Sequence, residues 1–167
     1  MTKYVFAIDP GNIESGFAFV DTDTYKPIQF GKVDNYVIFD CINKFGIKPI
    51  ECEVAIEMIA SYGMAVGAEV FETCVWIGRF KEFFIERGFK VNYIYRREEK
   101  LCICHSPKAN DSNIRIALAD RFRTTETDTY AKGVKKNPGF FYGFSQDVWM
   151  AFCVAVVYID KCTNIPF

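Results

Sequence analysis

Two periods of apolar and polar residues alternate along the chain, and each marks an element. TKYVFAI (2–8) is a short apolar run that stops at Asp9, ahead of the turn pair Pro10-Gly11, and reads as a strand. SGFAFVD (15–21) and KPIQFGKVD (26–34) have strand composition with turn residues between them, so the opening predicts a meander of three antiparallel strands. The period then lengthens. YVIFDCINKFG carries apolar residues at helical spacing and stops at Gly46. CEVAIEM (52–58), bounded by Pro49 and Gly63, reads as a buried central strand.

From Gly67 to Arg87, Val70, Phe71, Cys74, Ile77, Phe80 and Phe84 fall along one side of a helix that Gly88 closes. That apolar side, Trp76 included, is either core or the interface of a dimer. KVNYIY (90–95) is another strand. After Pro107, NDSNIRIALADRF spaces Ile114, Ala117, Leu118 and Phe122 as a helix does. Residues 123–143 are polar, then Gly/Pro-rich, with no sustained period, and predict a flexible basic loop. SQDVWMAFCVAVVYID forms a last helix with Ser145 as its N-cap. Strands first, then alternating helix and strand, predict one α/β domain over 1–167: a mixed sheet with helices on both faces.

Composition narrows the class. A length of 167 residues fits one core, and 25% charged residues exclude wholesale disorder. No apolar run reaches the roughly 18–20 residues of a membrane span, and Asp9 interrupts an N-terminal stretch too short for a signal peptide. The expectation is a soluble, unprocessed, cytoplasmic protein without membrane partner or organic cofactor. Seven cysteines include no C-x-x-C pair, and most sit in apolar runs, where a reduced thiol acts as a small hydrophobe. Cys102-Ile-Cys104-His105 packs its ligands too tightly for a zinc knuckle.

The net charge of −1 hides an asymmetry. Residues 1–95 hold nine Lys/Arg against thirteen Asp/Glu, whereas 96–136 hold ten against six. A basic stretch of this kind is either a polyanion-binding face or ordinary solvated surface.

Three carboxylates stand at element ends. Asp9 closes the first strand, Glu57 lies near the end of the apolar strand, and Asp147 is in the first turn of the last helix. Asp9 also suits a turn, and Asp147 suits a helix dipole. Glu57 is harder to explain structurally, because an ionised carboxylate in an apolar strand is costly unless paired or metal-bound. Sites in open α/β sheets form beyond the carboxyl ends of the strands, where Asp9 and Glu57 would lie.

These residues resemble a known family. AIDPGNIESGFAFVD is similar to the first motif of RuvC-type Holliday junction resolvases, nucleases of the RNase H-like fold. VAIEMIASYGMAVG resembles the second motif, and SQDVWMAFCVAVVY the closing one. SPKANDSNIRIAL and KGVKKNPGFFYG are similar to the phage-type branch. The likeness implies three metal-binding acids, Asp9, Glu57 and Asp147, gathering two Mg²⁺ or Mn²⁺ ions. The family's second closing aspartate falls on Met150, a poor ligand for a hard cation. Asp111, Gln146 or water would complete the shell, although Asp111 also reads as a first-turn helix acid. Ala60 stands where the family has a junction-disrupting aromatic, which leaves Tyr62 or Met64 as wedge or as simple loop packing.

The resemblance further implies a homodimer that nicks branched DNA in pairs. Metal-bound water would attack in line, with ions about 3.5–4 Å apart, leaving a 5′-phosphate and a 3′-hydroxyl. His105 has no part in this. Lys108, Arg115, Lys132, Lys135 and Lys136 are the candidate phosphate contacts. A YqgF-like RNA-processing nuclease shares the Asp-x-Gly opening, and Met150 keeps a non-catalytic junction-binding relative in view. A sugar-kinase or actin-like ATPase would need two such domains.

Overall fold

The computed structural model describes residues 2–61, 63 and 65–163. β1 (Tyr4–Asp9), β2 (Glu14–Asp21), β3 (Pro27–Asp34), β4 (Cys52–Met58) and β5 (Val91–Tyr95) form one sheet in the order β3-β2-β1-β4-β5. β1–β2 and β2–β3 pair antiparallel, while β1–β4 and β4–β5 pair parallel. The helices are α1 (Asn35–Phe45), α2 (Ala68–Glu86), α3 (Arg96–Cys104), α4 (Asp111–Phe122) and α5 (Gln146–Thr163). The expected mixed α/β architecture is present.

Strand parity sorts the side chains into two cores. Phe6, Ile8, Phe17, Phe19, Val54 and Ile56 meet α1 and α2 on one face. Val5, Ala7, Ala18, Val20, Ala55 and Ile94 meet α4 and α5 on the other. The small residues Ala7, Ala18 and Ala55 let α5 sit close to the sheet. That closeness explains why every residue of α5 from Val148 to Asp160 is buried. A helix buried all round shows no amphipathic stripe.

Two segments differ from the pattern-based expectation. Residues 96–104 form α3, which begins directly after β5 although RREEKLCIC has no apolar period. Ion pairs and a cap hold it: Glu98 accepts from the Tyr95 N–H at 2.7 Å and pairs with Lys161 of α5 at 2.6 Å. Residues 123–143 include a small hairpin, β6 (Gly133–Val134) with β7 (Asn137–Pro138). Asp128 accepts from the N–H groups of Tyr130, Lys132 and Gly133, and the Gly133 and Lys132 bonds hold its carboxyl below the usual range. Phe141, just after the hairpin, stacks on Trp149 with centroids 4.1 Å apart and is wholly buried.

On α2, Phe80 is core while Phe71 and Val75 stand exposed. The cysteines are unpaired thiols. Among the described residues no helix is long and apolar enough to cross a membrane.

Candidate active site

Parity also gathers the acids. Asp9 follows Val5 and Ala7 on the α5 side of β1, and Glu57 follows Ala55 on the α5 side of β4. The parallel register, with Ile8 opposite Ile56, sets the two carboxylates side by side at the carboxyl ends of neighbouring strands. On the other flank of β1, Gly16 of β2 lies opposite Asp9. A Cβ at Gly16 would come within 2.4 Å of the Asp147 carbonyl oxygen and 3.0 Å of its Cβ. The missing side chain at position 16 is therefore what admits the first turn of α5 and brings Asp147 toward Asp9.

Gly16→Ala is expected to push that turn outward. The cost to stability should be about 1–3 kcal/mol, as for other overpacked sites. Any activity that uses Asp147 together with Asp9 should fall about 100-fold, the usual penalty of a 1 Å misplacement. Denaturant unfolding and turnover of the folded variant measure the two effects. An unchanged rate would show that Asp147 does not work with Asp9.

The loop after Asp9 is pinned from beneath. The buried Asn35 donates from Nδ2 to the Gly11 carbonyl at 2.9 Å and accepts from the Ser15 hydroxyl at 2.5 Å. Ser15 Oγ in turn accepts from the Gly11 N–H at 3.2 Å. This closed polar network fixes the Pro10–Ile13 turn against the strand ends. Asp9, Pro10, Gly11, Gly16, Lys32 and Asp147 help line a cleft of about 200 Å³. Across it Lys32 Nζ pairs with Asp147 at 3.1 Å and Glu14 at 3.2 Å.

A second set of charges lies on the β5 side. Arg96, the first residue of α3, pairs through Nη1 with Glu99 and through Nη2 with Asp111. The same Nη2 donates to Met150 Sδ at 3.1 Å. Glu99 is fully buried, and its Oε1 has no hydrogen-bond partner among the described residues. Burial, and then the Glu57 charge, push its pKa up to about 8 against the pull of Arg96. Asp9 is likewise held well above the usual carboxylate range, first by burial and next by Glu57.

An acid with a raised folded-state pKa binds its proton more tightly when folded. Its contribution to stability is therefore intact below the unfolded value and lost as pH rises toward the folded one. In chelator, stability should accordingly fall between about pH 4.5 and pH 8. Glu99→Gln should flatten that slope in thermal melts, and an unaltered slope would remove Glu99 as its source.

The donors are all oxygen, and the crowding of Asp9 against Glu57, with Glu99 Oε1 orphaned nearby, is the chemistry that suits a hard divalent cation. Asp9 and Glu57 are the residues that could hold such an ion. Among the described residues no three His, Cys, Asp or Glu side chains stand together at metal-binding spacing. Asp147 faces Lys32 and Asp111 faces Arg96, so the structure pairs only two of the four candidate ligands with each other.

These features sit on a known framework. The fold is that of RuvC. Thermus thermophilus RuvC matches with a TM-score of 0.67 at 14% identity over 96% of both chains. A T. thermophilus RuvC in complex with a Holliday junction substrate matches at 0.66 and 13% identity, again over 96% of each. The large terminase nuclease of thermophilic phage G20c gives 0.45 at 11% identity, covering 91% of this chain and 80% of that one. No protein-family model and no curated protein matches the sequence. The RNase H-like fold expected from the motifs is thus present.

The expected DNA contacts are scattered. Lys108, Lys135 and Lys136 are exposed, the latter two between β6 and β7. Arg115 lies over the Tyr130 ring at 5.3 Å, and Lys132 Nζ donates to the Phe144 carbonyl at 2.7 Å. Tyr62 and Met64, the wedge candidates, lie outside the described residues. The sequence pattern gives Lys32 and Glu99 no site role, and places Arg96 only in the basic stretch 96–136. Arg96 has one further signal, its position just past the carboxyl end of a strand. Glu99, inside a run of charges, has none.

Proposed function

We propose that this chain is a metal-dependent endonuclease that resolves four-way or other branched DNA by paired nicking. The observation that carries the reading is the adjacency of Asp9 and Glu57 at the carboxyl ends of β1 and β4, with Asp147 drawn in over Gly16. The fold adds support, since one of the matching RuvC structures holds a Holliday junction substrate. In the reaction, the oxygen of water forms a bond to phosphorus and the P–O3′ bond breaks. The proton lost by water is balanced by protonation of the leaving 3′ oxygen, giving a 5′-phosphate and a 3′-hydroxyl.

Mg²⁺ or Mn²⁺, held by Asp9 and Glu57, would supply positive charge at the phosphate and acidify water. Lys32 offsets part of the charge of Asp147 and Glu14, which lowers the charge barrier to an incoming phosphate. Exposed Lys108, Lys135 and Lys136, with Arg115 and Lys132, would contact the backbone. Two nicks across a junction require two sites, and exposed Phe71 and Val75 on α2 offer an apolar surface for a second copy. The likeness of SPKANDSNIRIAL and KGVKKNPGFFYG favours the phage-type branch and, with it, action inside a cell.

The test is cleavage of a labelled four-way junction beside a matched linear duplex and a structured RNA, with Mg²⁺ or Mn²⁺. Symmetric nicks confined to the junction are expected, from a species whose scattering mass is two chains. Cutting of RNA alone would transfer the reading to a YqgF-like nuclease. Tight junction binding without cutting would make the chain a non-catalytic relative, with Met150 the first cause to examine.

A further inference from the structure

We infer that this site works with one metal ion per chain, and that Arg96 is a fixed cation standing in for the second. The inference rests on the nuclease reading above. Its starting point is the place where the motif resemblance implies a further aspartate on α5. That place is held by Met150, and its sulfur accepts a hydrogen bond from Arg96 Nη2 at 3.1 Å. A thioether is a poor ligand for a hard cation but an adequate neighbour for a guanidinium.

The carboxylates that would otherwise surround a second ion are already matched to fixed cations. Asp111 and Glu99 both pair with Arg96, and Asp147 pairs with Lys32. Glu99 is buried completely, and its remaining oxygen is unpartnered among the described residues. One cluster edge therefore stays electron-rich, beside Asp9 and Glu57, and suits a single ion there. The opposite edge carries the Arg96 guanidinium, a cation that comes from the chain itself and is already set against Glu99 and Asp111.

Backbone geometry explains why Arg96 is at that edge. Glu57 is in register with Ile94 on the neighbouring strand β5, and Ile94 faces α5. Arg96 follows two residues later, where β5 ends and α3 begins. Its side chain also borders an open pocket of about 320 Å³ shared with Arg97, Lys100 and Pro107. Three of its five N–H groups are directed at Glu99, Asp111 and Met150. The Nε–H and one Nη1–H have no protein acceptor among the described residues. With two spare donors on a guanidinium that borders a basic pocket, Arg96 can meet the non-bridging oxygens of a phosphodiester.

Substitution must avoid stranding Glu99 as an uncompensated buried charge, so Arg96→Gln is combined with Glu99→Gln. Mn²⁺ binding is counted by calorimetry on the free protein. EPR on its complex with an uncleavable four-way junction distinguishes an isolated ion from a spin-coupled pair. Wild type is expected to bind one Mn²⁺ per chain and to give the isolated-ion spectrum. Adding Met150→Asp to the double variant is expected to admit a second, coupled ion. With Mg²⁺, Arg96→Gln/Glu99→Gln should lose about 10²–10³-fold in cleavage, the usual effect of removing one preorganised donor. Arg96→Lys, which keeps the charge but not the fork, should retain part of that loss as activity.

A spin-coupled pair on wild type, or wild-type cleavage by the folded double variant, would overturn the role of Arg96 while leaving the nuclease reading intact. Wild type that neither binds Mn²⁺ nor cuts any nucleic acid would overturn the nuclease reading, and the inference with it.

Discussion

Asp9→Asn is expected to reduce junction cleavage by about 10³-fold, and at pH 8 in chelator to raise the melting temperature. The first effect follows from removing one of two adjacent oxygen donors at the strand ends. Charge stabilisation worth several kcal/mol is lost, and each 1.4 kcal/mol is a factor of ten. The second effect has the opposite sign because Asp9 is a burden to the folded protein. Burial and the Glu57 charge hold its pKa well above the usual carboxylate value. Its cost is absent below the unfolded pKa and grows as pH rises toward the folded one. Asparagine keeps the shape and omits the charge. The gain in melting temperature should therefore shrink between pH 8 and pH 4, and single-turnover cleavage with melts at both pH values checks the pair of effects. A variant that loses activity and stability together would make Asp9 a structural residue. Loss of function with gain of stability is the signature of a site whose charges are assembled against the interest of the fold.

The second large effect lies at the other end of α5. Asp160 is buried and accepts two hydrogen bonds from Arg121, at 2.6 and 2.8 Å, and one from the Tyr25 hydroxyl at 2.7 Å. Burial, reinforced by the Asp160 charge, pushes the Tyr25 pKa up to about 12, so the phenol stays a donor throughout the physiological range. This carboxylate, on α5, ties the β2–β3 turn and α4 to that helix through three hydrogen bonds from two partners, Arg121 and Tyr25. Asp160→Asn leaves the shape but strands the guanidinium. Breaking a buried pair on one side costs about 3–5 kcal/mol, and the partial exposure of Arg121 places this case near about 3. The expected result is a lowered urea midpoint with an unchanged slope. Asp160 lies thirteen residues along α5 from Asp147, roughly 20 Å at 1.5 Å per residue. Cleavage by the folded variant should therefore be unaltered, and a lost rate below the melting temperature would contradict a purely structural role.

How much of this was legible beforehand depended on the range of the interaction. The strands and most helices were readable because a side chain's face is set by its local period. Val5-Ala7-Asp9 and Ala55-Glu57 could be placed at strand ends from two-residue alternation alone, and Asp147 from its position in a first helical turn. α3 was not readable, because RREEK offers no apolar period. The helix exists through Glu98 pairing with Lys161 and Arg96 pairing with Glu99, across 63 residues in the first case and three in the second. The aromatic tail of 123–143 read as loop for a similar reason: Phe141 is ordered by Trp149, which belongs to another element.

The sequence by itself determined the α/β class, the strand parity and the identity of the acids at the strand ends, since each is fixed by covalent spacing over a few residues. Tertiary structure decided what those acids face. Packing over Gly16 brought Asp147 inward, the Lys32 contact turned it toward a cation, and the start of α3 carried Arg96 to Met150 and Asp111. Charges act through space, and no periodicity along a chain records which partner a fold will set across a cleft of a few ångströms.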